Sequence, residues 1–233
     1  VLRERGGVWV GWSGAAGGES RSFQAAGIKN RPVVLSESEI ADHYDGFCNG
    51  TIWPLYHDAI RPLEFHRHWW RPHQEINARF AEATAKATGP EGTIWVHDYQ
   101  LQLVPAMLRK RLPGSRIGFF LHIPFPPVDI FERLPWRKQV LEGLLGADYL
   151  GFQTRRAVLN FAAAARELVG ARGPASWLEY DGRHVRAQAV PISLDVARSR
   201  AAGRTPEALA AAERLRHDLG DPDRVILGVD RLD

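Results

Sequence analysis

The sequence predicts a doubly wound parallel α/β sheet, and three observations carry that reading. Thr93–Val96, Ile117–Leu121 and Tyr149–Phe152 are short apolar runs of β-branched and aromatic residues, the composition of strands buried on both faces. Stretches of helical periodicity separate these runs, and an alternation of strands and helices argues for a parallel sheet covered by helices. Polar groups collect where the chain leaves the strands, as expected for a sheet that binds ligands at its carboxyl edge.

Composition sets outer limits. The 233 residues are 45% hydrophobic and 24% charged, ordinary for a globular protein, and suffice for one large or two small domains. The net charge of +3 is dispersed and gives no argument for nucleic acid. A single cysteine, Cys48, excludes an internal disulfide and fits a reducing compartment, so a cytoplasmic location is expected. No apolar run approaches the length of a membrane span, and no partner membrane is expected.

Taken in order, Gly6–Gly14 reads as a strand and a glycine turn, without the Gly-Lys-Ser/Thr of a P-loop or the spacing of a dinucleotide fingerprint. Trp9 and Trp12 read as core aromatics. Val33–Leu35 is expected to be a strand, with Ser36 or Ser38 capping a short helix. Tyr44, Phe47 and Trp53 give the next segment aromatic side chains around an expected Asn49-Gly50 turn. Such aromatics either plug the core or cover the C–H faces of a sugar. His57, His66, His68 and His73 invite a metal, but no Cys or carboxylate pair completes a tetrahedral set, and no metal is expected. Ile76, Phe80, Ala83 and Ala87 place a helix over Gln74–Thr88, stopped by Gly89-Pro90.

Pro105 suits the first turn of a helix running to about Leu112. That leaves His97, Asp98, Tyr99 and Gln100 leaving one strand and His122 leaving the next, a candidate site at the carboxyl edge. An Asp before a helix is also a common N-cap. Val128–Leu134 and Trp136–Leu145 read as helices parted by Pro135, and Thr154 as the cap of a long alanine-rich helix ending at Gly170. Trp177–Tyr180 and His184–Val190 flank an Asp181-Gly182 hairpin signal. Thr205 and Pro206 open a helix ending at Gly220, and Val225–Val229 is expected to be a buried strand.

HDYQL at His97–Leu101 followed by GFFLHIPFP at Gly118–Pro126 resembles the trehalose-6-phosphate synthase family. These are retaining glycosyltransferases that join a nucleotide-activated glucose to glucose 6-phosphate. The resemblance extends to GGVWVGWSG at Gly6–Gly14, YDGFCNGTIWP at Tyr44–Pro54, DYLGFQT at Asp148–Thr154 and VDRLD at Val229–Asp233. It departs at Ser193 of PISLD, where the family usually has Gly, and at Asp58-Ala59, which replaces a more usual run after the aromatic motif.

The resemblance implies a glycosyltransferase-B fold, two Rossmann-like domains facing a cleft, with residues 1–220 on the acceptor side and 221–233 opening the nucleotide-sugar domain. It implies a nucleotide-sugar donor, UDP-glucose by expectation, and glucose 6-phosphate as acceptor, with no cofactor. Asp98 and His122 are its implied catalytic positions, Asp98 orienting acceptor hydroxyls and His122 lying by the donor sugar. Tyr44 is implied at the acceptor phosphate, Trp53 by the acceptor sugar, and Trp53 with Ile123 in the choice of anomer. Arg231 is implied at the donor pyrophosphate. The departing phosphate takes the acceptor's proton in this family, so no enzymic nucleophile is expected. The absent initiator Met and the family Lys expected beyond Asp233 read as a piece of a longer protein, inactive by itself. A homo-oligomer is compatible with this. Two other readings stand: a glucosylglycerol-phosphate synthase, which uses glycerol 3-phosphate, and a noncatalytic synthase-like regulatory subunit.

Overall fold

The computed structural model describes residues 2–19 and 21–228. The chain divides into two compact units, Val1–Pro191 and Ile192–Asp233.

The first unit carries two sheets. In the smaller, β1 (Val8–Gly11) lies parallel to β3 (Ile28–Pro32), and β2 (Phe23–Ala25) pairs antiparallel with β3. Ala26 and Gly27, both at positive φ, close the β2–β3 hairpin with two residues. Ala-Gly is a weak turn signal, which is why this hairpin is not legible in the sequence. The expected strand at Val33–Leu35 lies one step earlier. Val33 donates to Gly11 O at 2.8 Å, and Leu35, 1% exposed, is extended chain sunk in the core. Ser36 then caps Glu37–Glu39 in a capping box with Glu39.

The larger sheet has the order β4-β5-β6-β8-β7, formed by Thr93–His97 (β4), Arg116–Leu121 (β5), Tyr149–Phe152 (β6), Leu178–Tyr180 (β7) and Arg183–Ala189 (β8). β4, β5, β6 and β8 run parallel, and the helices Val104–Arg111, Arg137–Leu144 and Arg155–Val169 connect them. This is the expected parallel-rich α/β layer. β7 pairs antiparallel with β8 through Asp181 and Gly182, at φ 49° and 67°, the two left-handed residues that a type I′ turn requires. One expectation changes: β4 is an edge strand whose Thr93 and Trp95 are exposed, with Trp95 at 63%. Only Ile94 and Val96 point into the core.

Asp148 ties the sheet together at the ends of β5 and β6 away from the candidate site. Its Oδ2 accepts from Ile117 N at 2.8 Å and from Arg109 at 2.6 Å, and its Oδ1 accepts from Arg183 at 2.6 Å. Thr154 caps the 155–169 helix by accepting from Ala157 N, and Gly170 ends it at φ 74°. Phe125, Phe131, Phe152 and Phe161 pack together, Phe152 at the carboxyl end of β6.

Residues Ile40–Ile52 form a π-helix, where the sequence suggested an Asn-Gly turn. Tertiary packing decides this. Gly46 and Gly50 face the Trp69 indole so closely that a Cβ on Gly46 would lie 2.6 Å from a ring carbon. Trp69 and Trp70 belong to the helix Arg67–Ala87, which starts well before Gln74 and carries Pro72 inside it. Its buried face, His73, Ile76, Asn77, Phe80 and Ala81, follows helical spacing. Trp9, expected in the core, is 53% exposed.

In the second unit, Asp195 caps the helix Val196–Ala202 and Thr205 caps Pro206–Asp218. The expected strand at Val225–Val229 is not formed over its described part, 225–228, where Ile226 is 99% exposed. A strand needs a neighbour to receive its backbone hydrogen bonds, and none pairs with this run among the described residues. Among the described residues no helix is long and apolar enough to cross a membrane.

Candidate functional site

The site begins where β4 and β5 end side by side. His97 is the last residue of β4 and pairs with Phe120 of β5, which ends one residue later at Leu121, so Asp98 and His122, the first residues beyond the two strands, leave the sheet close together. Asp98 N donates to Phe120 O at 2.8 Å, extending the ladder by one bond. The Asp98 backbone then turns to φ 73°, ψ 169°, a conformation that only glycine adopts at low cost. Its Oδ1 accepts from Tyr99 N at 3.0 Å and from His122 N at 3.3 Å. The carboxylate thus caps the short 3₁₀ turn Tyr99–Leu101 and also binds the two strand ends to each other. The N-cap reading is observed for this residue, and its carboxylate also stands at the carboxyl edge of the sheet.

The two histidines are coupled. His97 Nδ1 and His122 Nε2 lie 3.0 Å apart, and the rings are tilted by 33°. One nitrogen donates and the other accepts, so at least one ring is neutral. Burial, then the His122 charge, lowers the His97 pKa, with Asp98 opposing. Trp95 stacks on His97 and Phe120 packs edge-on to His122, fixing both rings. Sequence reasoning placed His97 at the strand edge without giving it a role. Its signal was only proximity to HD, and the pairing needs the register of β4 against β5.

Tyr99 connects this edge to the π-helix, its hydroxyl donating to Asn49 Oδ1 at 2.8 Å. The π-helix carries Tyr44, and Trp53 follows directly after it. Tyr44 is half-buried and sits edge-on to Trp12 at 5.2 Å. Trp53 is half-buried and covered on one face by His57, which stacks at 4.1 Å and donates from Nδ1 to Trp53 O at 2.7 Å. Arg61 lies 5.8 Å from the Trp53 ring centre and donates to Asn49 O at 2.6 Å. His57 and Arg61 are therefore parts of the aromatic site that the sequence reading missed, His57 having been weighed only as a metal ligand. Ile123 is 8% exposed within the main core, a wall beneath the strand ends rather than an open contact. Arg231 lies outside the described residues.

A parallel α/β layer with polar side chains gathered at the carboxyl ends of adjacent strands defines a ligand-binding domain of the doubly wound class. A family model described as Glycosyltransferase family 20 matches residues 1–233, and the chain belongs to that family. The trehalose-6-phosphate synthase of Mycolicibacterium smegmatis is 46% identical over 242 residues, covering 100% of this chain and 48% of its own length. The structure described as "Trehalose-6-phosphate from E. coli bound with UDP-2-fluoro glucose" superposes with TM-score 0.82 at 34% identity, over 94% of this chain and 49% of that one. An α,α-trehalose-phosphate synthase (UDP-forming) from Burkholderia xenovorans in complex with glucose-6-phosphate gives TM-score 0.78 at 29% identity, over 90% and 49%. The chain spans about half the length of the curated relatives it matches.

Proposed function

We propose that this chain supplies the acceptor side of an α,α-trehalose-phosphate synthase, which transfers glucose from a nucleotide sugar to glucose 6-phosphate with retention. The observation that carries the reading is the joining of Asp98 and His122 at the ends of β4 and β5 through Oδ1 and the His122 amide. It puts an acceptor-only carboxylate beside an imidazole at the ligand edge of the sheet. Family membership and the relatives' names, with UDP-2-fluoro glucose in one structure and glucose-6-phosphate in another, support the choice of substrates.

In this reading the bond from the donor's anomeric carbon to the diphosphate oxygen breaks while the acceptor oxygen bonds to that carbon. The acceptor's hydroxyl proton passes to the departing phosphate. Asp98 accepts hydrogen bonds from acceptor hydroxyls and holds them at the reacting carbon. His122, oriented by His97, lies by the donor sugar. Tyr44 offers a hydroxyl to the acceptor phosphate, and Trp53 offers its indole to the acceptor ring. Ile123 supports the anomer-selecting wall from beneath, and Arg231 acts on the donor pyrophosphate. Both substrates are phosphorylated and the one cysteine is a free, buried thiol, which favours the cytoplasm as the place of reaction.

The test is transfer by the full-length protein, given UDP-glucose with glucose 6-phosphate or with glycerol 3-phosphate, the product identified by NMR. Trehalose 6-phosphate with an α,α linkage is the expected product. Preference for glycerol 3-phosphate would replace the acceptor assignment, and no transfer to either would favour a noncatalytic subunit.

A further inference from the structure

His43, Cys48 and His73, distant from the strand-edge site in sequence and in role, converge in the core. His43 and Cys48 are five residues apart on the π-helix, and π-winding, with its i to i+5 hydrogen bonds, brings such residues towards one face. His73 comes from the buried face of the 67–87 helix. The two Nδ1 atoms are 2.9 Å apart, and Cys48 Sγ lies 3.8 Å from His43 Nδ1 and 3.9 Å from His73 Nδ1. His43 is 3% exposed and the other two are 0% exposed.

We propose that His43 Nδ1, His73 Nδ1 and Cys48 Sγ form a binding site for a thiophilic d¹⁰ cation, Zn(II) or Cu(I). With bonds of about 2.0–2.1 Å to nitrogen and 2.3 Å to sulfur, one central ion asks for ligand separations of roughly 3.3–3.8 Å. The observed triangle differs by a few tenths of an ångström. The ligand types fit as well: imidazole suits Zn and Cu, and thiolate selects Zn and Cu(I). A hydrogen-bonded triad uses these atoms less completely, because a single proton between the two Nδ1 atoms consumes both of them and leaves the thiol proton no imidazole acceptor. One ion uses all three lone pairs.

The surroundings are consistent with this. Burial holds His43 down to about 4 and His73 well below its ordinary value, keeping both imidazoles neutral and able to ligate. Burial, with Asp98 adding to it, pushes the Cys48 thiol well up, so binding must displace its proton to solvent. A monovalent ion with the thiolate leaves the cluster neutral, whereas Zn(II) leaves one positive charge that a buried site must neutralise. Phe47 and Trp70 pack on the His73 ring and exclude water. The sequence shows none of this, since the ligands stand at 43, 48 and 73 with no recognisable spacing. His73 was set aside there with the exposed His66 and His68.

The experiment measures metal in full-length protein expressed with zinc or with copper under reducing conditions, purified without a metal-affinity column and desalted. The expected result is one equivalent of one of these ions per chain. Retention should fall at least about tenfold in Cys48→Ser and persist in the His66→Ala, His68→Ala double variant. Circular dichroism melting checks that Cys48→Ser is folded. Should it not fold, Co(II)-loaded wild type is read for a thiolate-to-cobalt charge-transfer band, which is expected. Retention of neither ion, retention unchanged by Cys48→Ser, loss only in the His66/His68 variant, or a cobalt spectrum without that band overturns the site.

Discussion

The imidazole of His97 holds that of His122, Nδ1 to Nε2 at 3.0 Å, across the ends of two adjacent parallel strands. His122 is therefore oriented by a residue from the neighbouring strand, and His97 is a positioning residue for it. His97→Leu should lower kcat/KM of the full-length enzyme by up to about tenfold, the scale of one net hydrogen bond. His97→Asn, which retains a polar partner, should recover part of that. Steady-state kinetics on both variants, with melting curves as control, check the claim. Equal losses in Leu and Asn variants of unchanged activity profile would make His97 a packing residue.

The lowered His97 pKa has a consequence for stability. The folded chain releases the His97 proton at a pH where the unfolded chain, with the ordinary value of 6.5, still binds it. In the window between the lowered folded value and 6.5 the unfolded state binds more protons, so stability falls as pH falls below 6.5 and levels off once the folded group also protonates. Urea midpoints measured across this range should show a shallower acid slope for His97→Asn than for wild type. Parallel slopes would mean that His97 is not the group responsible.

Asp98 combines a strained backbone with a carboxylate that accepts two amide hydrogen bonds. Asp98→Asn keeps an acceptor oxygen and should stay folded, yet lose activity by on the order of a hundredfold, the scale of a lost electrostatic contact at the reacting group. Asp98→Ala and Asp98→Gly both remove the side-chain bonds, but only glycine relaxes at φ 73°. The Gly variant should therefore be more stable than the Ala variant by about 1–3 kcal/mol. Calorimetry decides this, and an Ala variant as stable as the Gly variant would show that the strain is not there.

Acceptor choice should depend on Tyr44 and Trp53. Tyr44→Phe keeps the ring against Trp12 and removes one hydroxyl, so glucose 6-phosphate binding should weaken by roughly 0.5–3 kcal/mol with little change in melting temperature. Trp53→Ala removes the surface that His57 backs. It should hurt transfer to glucose 6-phosphate more than to glycerol 3-phosphate, which has no ring to stack. Kinetics with both acceptors beside thermal unfolding separate these outcomes. Equal losses for both acceptors with a large drop in stability would make the aromatics core residues.

Much of the architecture was written locally. The apolar runs of β5 and β6, the Thr154 cap and Gly170 stop of the 155–169 helix and the Asp181-Gly182 turn are each decided by a few neighbouring residues, so their chemistry is visible in order along the chain. The same holds for the position of Asp98 and His122, because a residue that follows a parallel strand has to lie at its carboxyl edge. Contacts between distant residues decided the rest. The π-helix exists where Gly46 admits Trp69, the early start of the 67–87 helix follows the packing of Trp70 on Phe47, and the 225–228 run pairs with no strand among the described residues. The coupling of His97 to His122 and the meeting of His43, Cys48 and His73 are likewise products of register and helix packing. A side chain's type is set by its own codon, but its partner is set by the burial of surfaces that lie far apart in the sequence and come together only when the core closes.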